Sequence, residues 1–275
     1  MRDVKPVIVC ADDFAQTRAI SDGILRLVEG GRLSAVSCFA DSPLWPTVGP
    51  RLVNAHAGLL VGLHFNLTYP FGHGERPLRH WLLRSIAGST DFEAVRKALE
   101  RQIDRFSATA GRPPDFIDGH EHVHAFPQIR NVIADRIVQR AELADTCVRD
   151  VAHLVGATDA PLKRRVIRTM ARLGRGARAC RAFNTGFGGD YSLTPRAPYE
   201  ALFAGWLADA PPGSLIMCHP QAPRQATAET ARDVEYAYLT SSRFVAALDR
   251  SRARLVRDRD ELPCRSMARS TAQSS

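Results

Sequence analysis

Lysine is nearly missing from this sequence. Only Lys5, Lys97 and Lys163 occur, so 34 of the 37 basic residues are arginine. Long apolar runs are missing as well: nowhere do about 18 apolar residues follow one another, which excludes a membrane-spanning helix. No Cys-x-x-Cys pair is present. Cys10, Cys38, Cys147, Cys180, Cys218 and Cys264 are scattered singly, a pattern that excludes a disulfide-scaffold peptide and predicts free thiols in a reducing cytosol. Behind Met1-Arg-Asp-Val-Lys5 there is no apolar stretch of signal length, because Asp12 and Asp13 interrupt the run. A cytoplasmic location is therefore expected. No internal repeat, low-complexity linker or break in composition marks a second domain.

What is present suits one α/β domain. The chain has 275 residues, 45% of them apolar and 24% charged, close to globular averages and unlike disordered, collagenous or coiled-coil chains. A core of this size needs neither metal nor disulfide to fold, so an inferred metal would serve chemistry. Apolar β-branched runs predict strands at Pro6–Ala11, Leu33–Phe39, Leu59–Leu67, Asp115–Val123, Thr146–Val148, Ser214–Cys218 and Ala253–Val256. Helical spacing predicts helices over Thr17–Glu29, stopped by Gly30-Gly31, and over Phe92–Ala110, Pro127–Ala141 and Arg232–Leu248. Tyr69–Pro77 is a long loop, and Phe187-Gly-Gly-Asp-Tyr191 a turn. Strand and helix alternate almost to the end, which predicts a single distorted (β/α) barrel, TIM-barrel-like, of seven or eight parallel strands. The barrel is expected over 1–265, with 266–275 a frayed polar tail.

Chemistry-bearing residues stand where these strands end. The first runs into Asp12-Asp13, the third carries His64, the fourth carries Asp118, His120, His122 and His124, and a late one ends at His219-Pro220. In parallel α/β folds catalytic groups gather at the carboxyl ends of strands, so four strands deliver Asp or His to one rim. Residues two apart on a strand share a side, so Asp118, His120, His122 and His124 are expected on one face, of which one or two can reach a single ion. A surface His-rich tract is the alternative, and the flanking Phe116-Ile117 and Val123 speak for burial. Adjacent carboxylates at the mouth of a buried strand repel without a cation or a shared proton. A helix N-cap accounts for one aspartate but not for the pair.

Ala11-Asp-Asp-Phe14, Gly62-Leu-His-Phe-Asn-Leu67, Asp118-Gly-His-Glu-His-Val-His124 and Cys218-His-Pro220 resemble, in order and spacing, the YdjC-type carbohydrate deacetylases. These include chitooligosaccharide and hopanoid-associated deacetylases, and the likeness runs from about residue 6 to 262. The resemblance implies a distorted barrel, a homodimer and one divalent metal. Magnesium is the family's usual ion, while an Asp-His-His set also suits zinc. By position the ligands would be Asp13, His64 and His120, the general base Asp12 and the general acid His219. Asp118, His122 and His124 would be pocket or orienting groups. Apart from the resemblance, Arg149 follows an expected strand and is read as orienting Asp12. The implied reaction is hydrolytic removal of acetate from an N-acetylglucosamine-type oligosaccharide or glycolipid. Where the family usually has glycine after Asp-Asp-Phe, Ala15 stands here. A different metal-dependent barrel hydrolase, such as a phosphoesterase, is the rival activity.

The charge surplus is local. From Lys163 to Arg181 lie Lys163, Arg164, Arg165, Arg168, Arg172, Arg175, Arg178 and Arg181 without one acid. Leu162, Val166, Met170 and Leu173 fall between them at helical spacing. Such a helix suits an anionic membrane surface, with Lys163, Arg164, Arg165 and Arg168 as contacts and a peripheral place at the inner membrane. An outer barrel helix with a solvated basic face is the alternative. No nucleic-acid partner is expected, because zinc-finger, RNP and helix-turn-helix signatures are absent and aromatics are scarce around the run.

Overall fold

The computed structural model describes residues 4–56, 58–173, 180–223 and 229–264. The expected tail at 266–275, and Arg175 and Arg178 of the basic run, lie outside them. The sheet opens with β1 (Lys5–Phe14), which pairs in parallel with β2 (Ala35–Cys38) on one side and β7 (Ser214–Cys218) on the other. Beyond β2 follow β3 (Leu60–Phe65), β4 (Phe116–Gly119) and β5 (Cys147–Val148); beyond β7 lies β6 (Phe187–Gly188). A short β8 (Ala253–Leu255) pairs with the first residues of β1. Isolated bridges Val148↔Ala182 and Leu154↔Phe187 tie the β5 side to the β6 side. The result is a curled, distorted barrel whose main path is seven parallel strands, with β8 added beside β1 and helices outside.

Alternation along β1 sorts the core. Val7, Val9 and Ala11 pack with the helices, whereas Ile8 and Cys10 join Phe116, Phe183, Phe187 and Met217 in a second cluster inside the curl. That is the period of two of a sheet buried on both faces. Asp12 continues the inward parity.

The helices are α1 (Arg18–Glu29), α2 (Trp45–Val53), α3 (Leu78–Ile86), α4 (Phe92–Ala110), α5 (Pro127–Gln139), α6 (Pro161–Leu173), α7 (Tyr199–Asp209), α8 (Ala231–Thr240) and α9 (Ser242–Arg250). The Thr17 hydroxyl caps α1 by accepting from the Ile20 amide, and Gly31, at φ +66°, turns the chain away at its other end. Among the described residues no helix is long and apolar enough to cross a membrane.

Four expectations change. The strand foreseen over Asp115–Val123 stops at Gly119 and gives way to a 3-10 turn over His120–Ala125. Glu121 (φ 51°) and His122 (φ 60°) there are left-handed, so the four Asp and His side chains do not share a strand face. The helix over Arg232–Leu248 is two, broken at Ser241, whose extended backbone ends one and begins the next. Phe187-Gly188 is a strand rather than a turn. Cys147 and Cys264 are disulfide-bonded across 117 positions. Of the six cysteines only Cys10, Cys38, Cys180 and Cys218 are free. The bonded pair meets because the segment ending at Cys264 folds back against β5, a long-range contact that scattered single cysteines do not signal.

Candidate active site

β1 ends in two aspartates with opposite surroundings. Asp12 faces Arg149, whose guanidinium donates to both its oxygens at 2.6 and 2.7 Å. The same guanidinium also contacts Asp118 and Cys10 Sγ. Arg149 follows β5 and is fully buried, a cation held entirely by carboxylates and a thiol. Asp13 turns away because the chain takes a left-handed step there, at φ +68°, and again at Ala15, at φ +70°. A residue with a Cβ costs about 1–2 kcal/mol in that region where glycine does not, which is why a glycine after Asp-Asp-Phe would be unstrained.

The Asp13 carboxylate meets two imidazoles. Its Oδ1 is 3.3 Å from His64 Nε2 and 3.2 Å from His120 Nδ1. No well-formed hydrogen bond satisfies that oxygen among the described residues, although it is buried. One ligand atom from each of Asp13, His64 and His120 lies within 4.8 Å of the others. Three convergent donors around an orphaned carboxylate oxygen fit a divalent ion. The other oxygen, Oδ2, accepts from Arg232 at 2.5 Å. Burial opposes ionisation of Asp13, but the imidazoles of His120 and His64 close against Oδ1, with Arg232 nearby, take its pKa well below the usual range.

Behind His64 stands Asp118. Its Oδ1 is 2.7 Å from His64 Nδ1 and accepts from Ser37 Oγ at 2.5 Å. This fixes Nε2 toward Asp13. Burial alone would lower the His64 pKa, but the Asp118 carboxylate outweighs it, leaving a value of about 10. Phe39 packs edge-on against both His64 and His120, at ring distances of 4.9 and 5.1 Å.

The other histidines separate. His122 rests against the Phe187 ring and lines the cavity, while His124 is fully buried with neither ring nitrogen hydrogen-bonded among the described residues. Burial pushes both well below the ordinary imidazole value. His219 follows β7, whose register pairs Cys218 with Ala11, so His219 and Asp12 leave adjacent strands side by side. Glu235 of α8 accepts from the His219 backbone amide and from the Tyr191 hydroxyl, and its Oε1 lies 3.9 Å from His219 Nδ1.

Asp12, Asp13, His64, His120, His122, His219 and Arg232 open on one cavity of about 580 Å³. Its remaining wall is mostly apolar, from Leu78 and Leu82 of α3 and Leu162, Val166, Ile167 and Met170 of α6. Lys163 lines it too and donates to the Tyr191 carbonyl, while Arg164 donates to the Gly156 and Val155 carbonyls. Of the four residues expected to face an anion or membrane, these two turn inward; Arg165 and Arg168 are exposed. Ser37, Arg232 and Glu235 carry no motif, and sequence reasoning missed them. An acid on the buried side of a short helix was the signal available for Glu235.

A curled parallel barrel with Asp and His converging at its strand ends defines an α/β protein built around a rim site. The chain belongs to the YdjC-like protein family, whose model matches residues 6–250. It is 36% identical over 141 residues to a chitooligosaccharide deacetylase of Yersinia pestis, covering 47% of this chain and 54% of that one. A chitooligosaccharide deacetylase of Serratia marcescens is 35% identical over 136 residues, covering 46% and 53%. The chain thus spans about half the length of the curated relatives it matches. Its fold is similar to that of an Enterococcus faecalis protein provisionally described as a cellobiose-phosphate cleavage protein. The TM-score is 0.66 at 18% identity, covering 93% of this chain and 98% of that one.

Proposed function

We propose that this protein is a metal-dependent carbohydrate deacetylase that hydrolyses the acetamide of an N-acetylglucosamine-type sugar, free or lipid-linked. The observation that carries the proposal is the Asp13, His64 and His120 cluster opening on the same cavity as Asp12 and His219. Membership of the YdjC-like family and likeness to chitooligosaccharide deacetylases support it.

Asp13, His64 and His120 would hold the ion. When bound, a divalent metal acts as a Lewis acid on the acetamide carbonyl and acidifies water. Asp12, oriented by Arg149, takes the proton of the attacking water as general base. His219, held through its backbone by Glu235, gives a proton to the leaving amine. Amines leave poorly without that proton, so both groups are required, and activity follows a bell-shaped pH curve. Asp118 keeps Nε2 of His64 turned toward Asp13, where both would help hold the ion. The apolar wall favours a sugar that carries an apolar group. Two imidazoles and a carboxylate suit zinc, whereas the family likeness favours magnesium; restoring the chelated protein with each ion separates them.

The test is acetate release from N-acetylglucosamine oligomers and from N-acetylglucosaminyl lipids, with and without chelator. Release that chelator abolishes is expected. Asp12→Asn should retain metal and lose about 10²–10⁴-fold in kcat. An active Asp12→Asn removes the base assignment. Phosphate release from sugar phosphates without acetate release would establish the phosphoesterase instead.

A further inference from the structure

Two helices with little sequence in common border the cavity in the same manner. On α6, Leu162, Arg165, Val166, Thr169, Arg172 and Leu173 fall on one outward stripe, with Ile167, Met170 and Ala171 buried opposite. Leu162 is 75% exposed and Leu173 63%. On α3, Leu78 and Leu82 face the cavity while Leu83 and Ile86 stand 64% and 66% exposed beside exposed Arg79 and Arg84. Neither helix contains an acid. Arg79, Arg165, Arg168 and Arg172 make no ion pair among the described residues. Leu162 and Val166 belong both to the outward stripe and to the cavity wall, so the exposed apolar row runs directly into the cavity; Glu121 is the one exposed acid lining it there.

Exposed apolar rows rimmed by arginines that make no ion pair among the described residues mark an interaction surface rather than a face turned only to water. Apolar side chains at the level of the acyl boundary with arginines at the headgroups describe a helix lying on a bilayer. Nucleic acid would use the arginines but not Leu83, Ile86 or Leu173. A protein partner would need a large acidic surface matched to two separate helices. We infer that α3 and α6 seat this protein on an anionic lipid bilayer with the cavity mouth turned to the membrane, so that an apolar substrate group passes from lipid into the wall of Leu78, Leu82, Ile167 and Met170. The source of the sugar is thereby tied to the proposed deacetylation, while attachment itself is independent of turnover.

The test is co-sedimentation of the full chain with vesicles of phosphatidylcholine alone or mixed with phosphatidylglycerol. Binding to the mixed vesicles only, weakened by salt, is expected. Replacing Arg165, Arg168 and Arg172 together by Gln should weaken it about a hundredfold, and Leu83→Ser with Ile86→Ser should weaken it separately. Both variants should unfold at the parent temperature and keep the parent hydrolysis of a water-soluble N-acetylglucosamine oligomer. Absence of binding to mixed vesicles, binding untouched by both variants, or retention of DNA in place of vesicles would overturn the inference. Hydrolysis lost while vesicle binding persists would count against the deacetylase and leave the membrane seat standing.

Discussion

Asp118 accepts from Ser37 and His64 while meeting Arg149, so one carboxylate sets both the ring orientation of His64 and the position of the arginine that grips Asp12. Asp118→Asn should lower metal affinity about 10–100-fold, as changes behind ligating histidines do, and titration calorimetry with zinc and magnesium would read it. An undiminished affinity would separate Asp118 from the ion. A second residue carries a cost rather than a role. Burial raises the Asp190 pKa to about 6, with Arg164 offsetting part of it. Because the folded value lies above the unfolded one, the protonated form favours the fold below about pH 4, and that stability is lost as pH rises through 6. Asp190→Asn should therefore be more stable than the parent at pH 7 by about 1–2 kcal/mol, with the difference closing toward pH 4 in thermal melts. At this scale Asp12, Asp13, His64, His120 and His219 stood out in the sequence because each lies at or just past the end of an apolar β-branched run that reads as a strand, and the structure gathers them on one cavity. Ser37 and Arg232 did not, since a serine inside a strand or an arginine on a helix signals nothing until the sheet curls and brings it across; for Glu235 the only signal was an acid on the buried side of a short helix.

Elements with their own punctuation were readable to the residue. The helix α4 runs over the expected Phe92–Ala110, with Asp91 capping its start and Gly111 ending it. Elements whose pattern misleads were missed: α2 holds Gly49 and Pro50 in its interior, residues that ordinarily break helices, and α7 is largely apolar with no polar stripe to give it a period. The turn after β4 was misread because two successive left-handed residues, neither of them glycine, have no sequence signature. One contact between elements bears directly on the site. A Cβ on Gly23 of α1 would come within 2.4 Å of the Ala222 backbone, in the loop that follows His219. Gly23→Ala should cost about 1–3 kcal/mol of stability and lower kcat by displacing His219, while metal affinity, which depends on the far side of β1, stays at the parent level. A parallel loss of metal affinity would mean that the loop and the ligands move together.

For the molecule as a whole, length and alternation sufficed to foresee one barrel, and the surplus charge is gathered in one stretch of the sequence rather than spread over it. What length and alternation did not foresee was a covalent tie. Converting Cys264 to Ser should lower stability by about 2–5 kcal/mol, seen as an earlier unfolding midpoint in denaturant that reductant reproduces in the parent; coincident midpoints would mean the bond contributes nothing. The tie between Cys147 and Cys264 also makes the C-terminal portion a closed ring: α6, β6, α7, β7, α8, α9 and β8 hang on a loop whose two ends are one residue pair. A single protease cut anywhere on that ring leaves one covalent molecule. It should migrate intact until reductant is added and then part into two pieces, with Asp12, Asp13, His64 and His120 on the first and, for any cut before residue 219, His219 on the second.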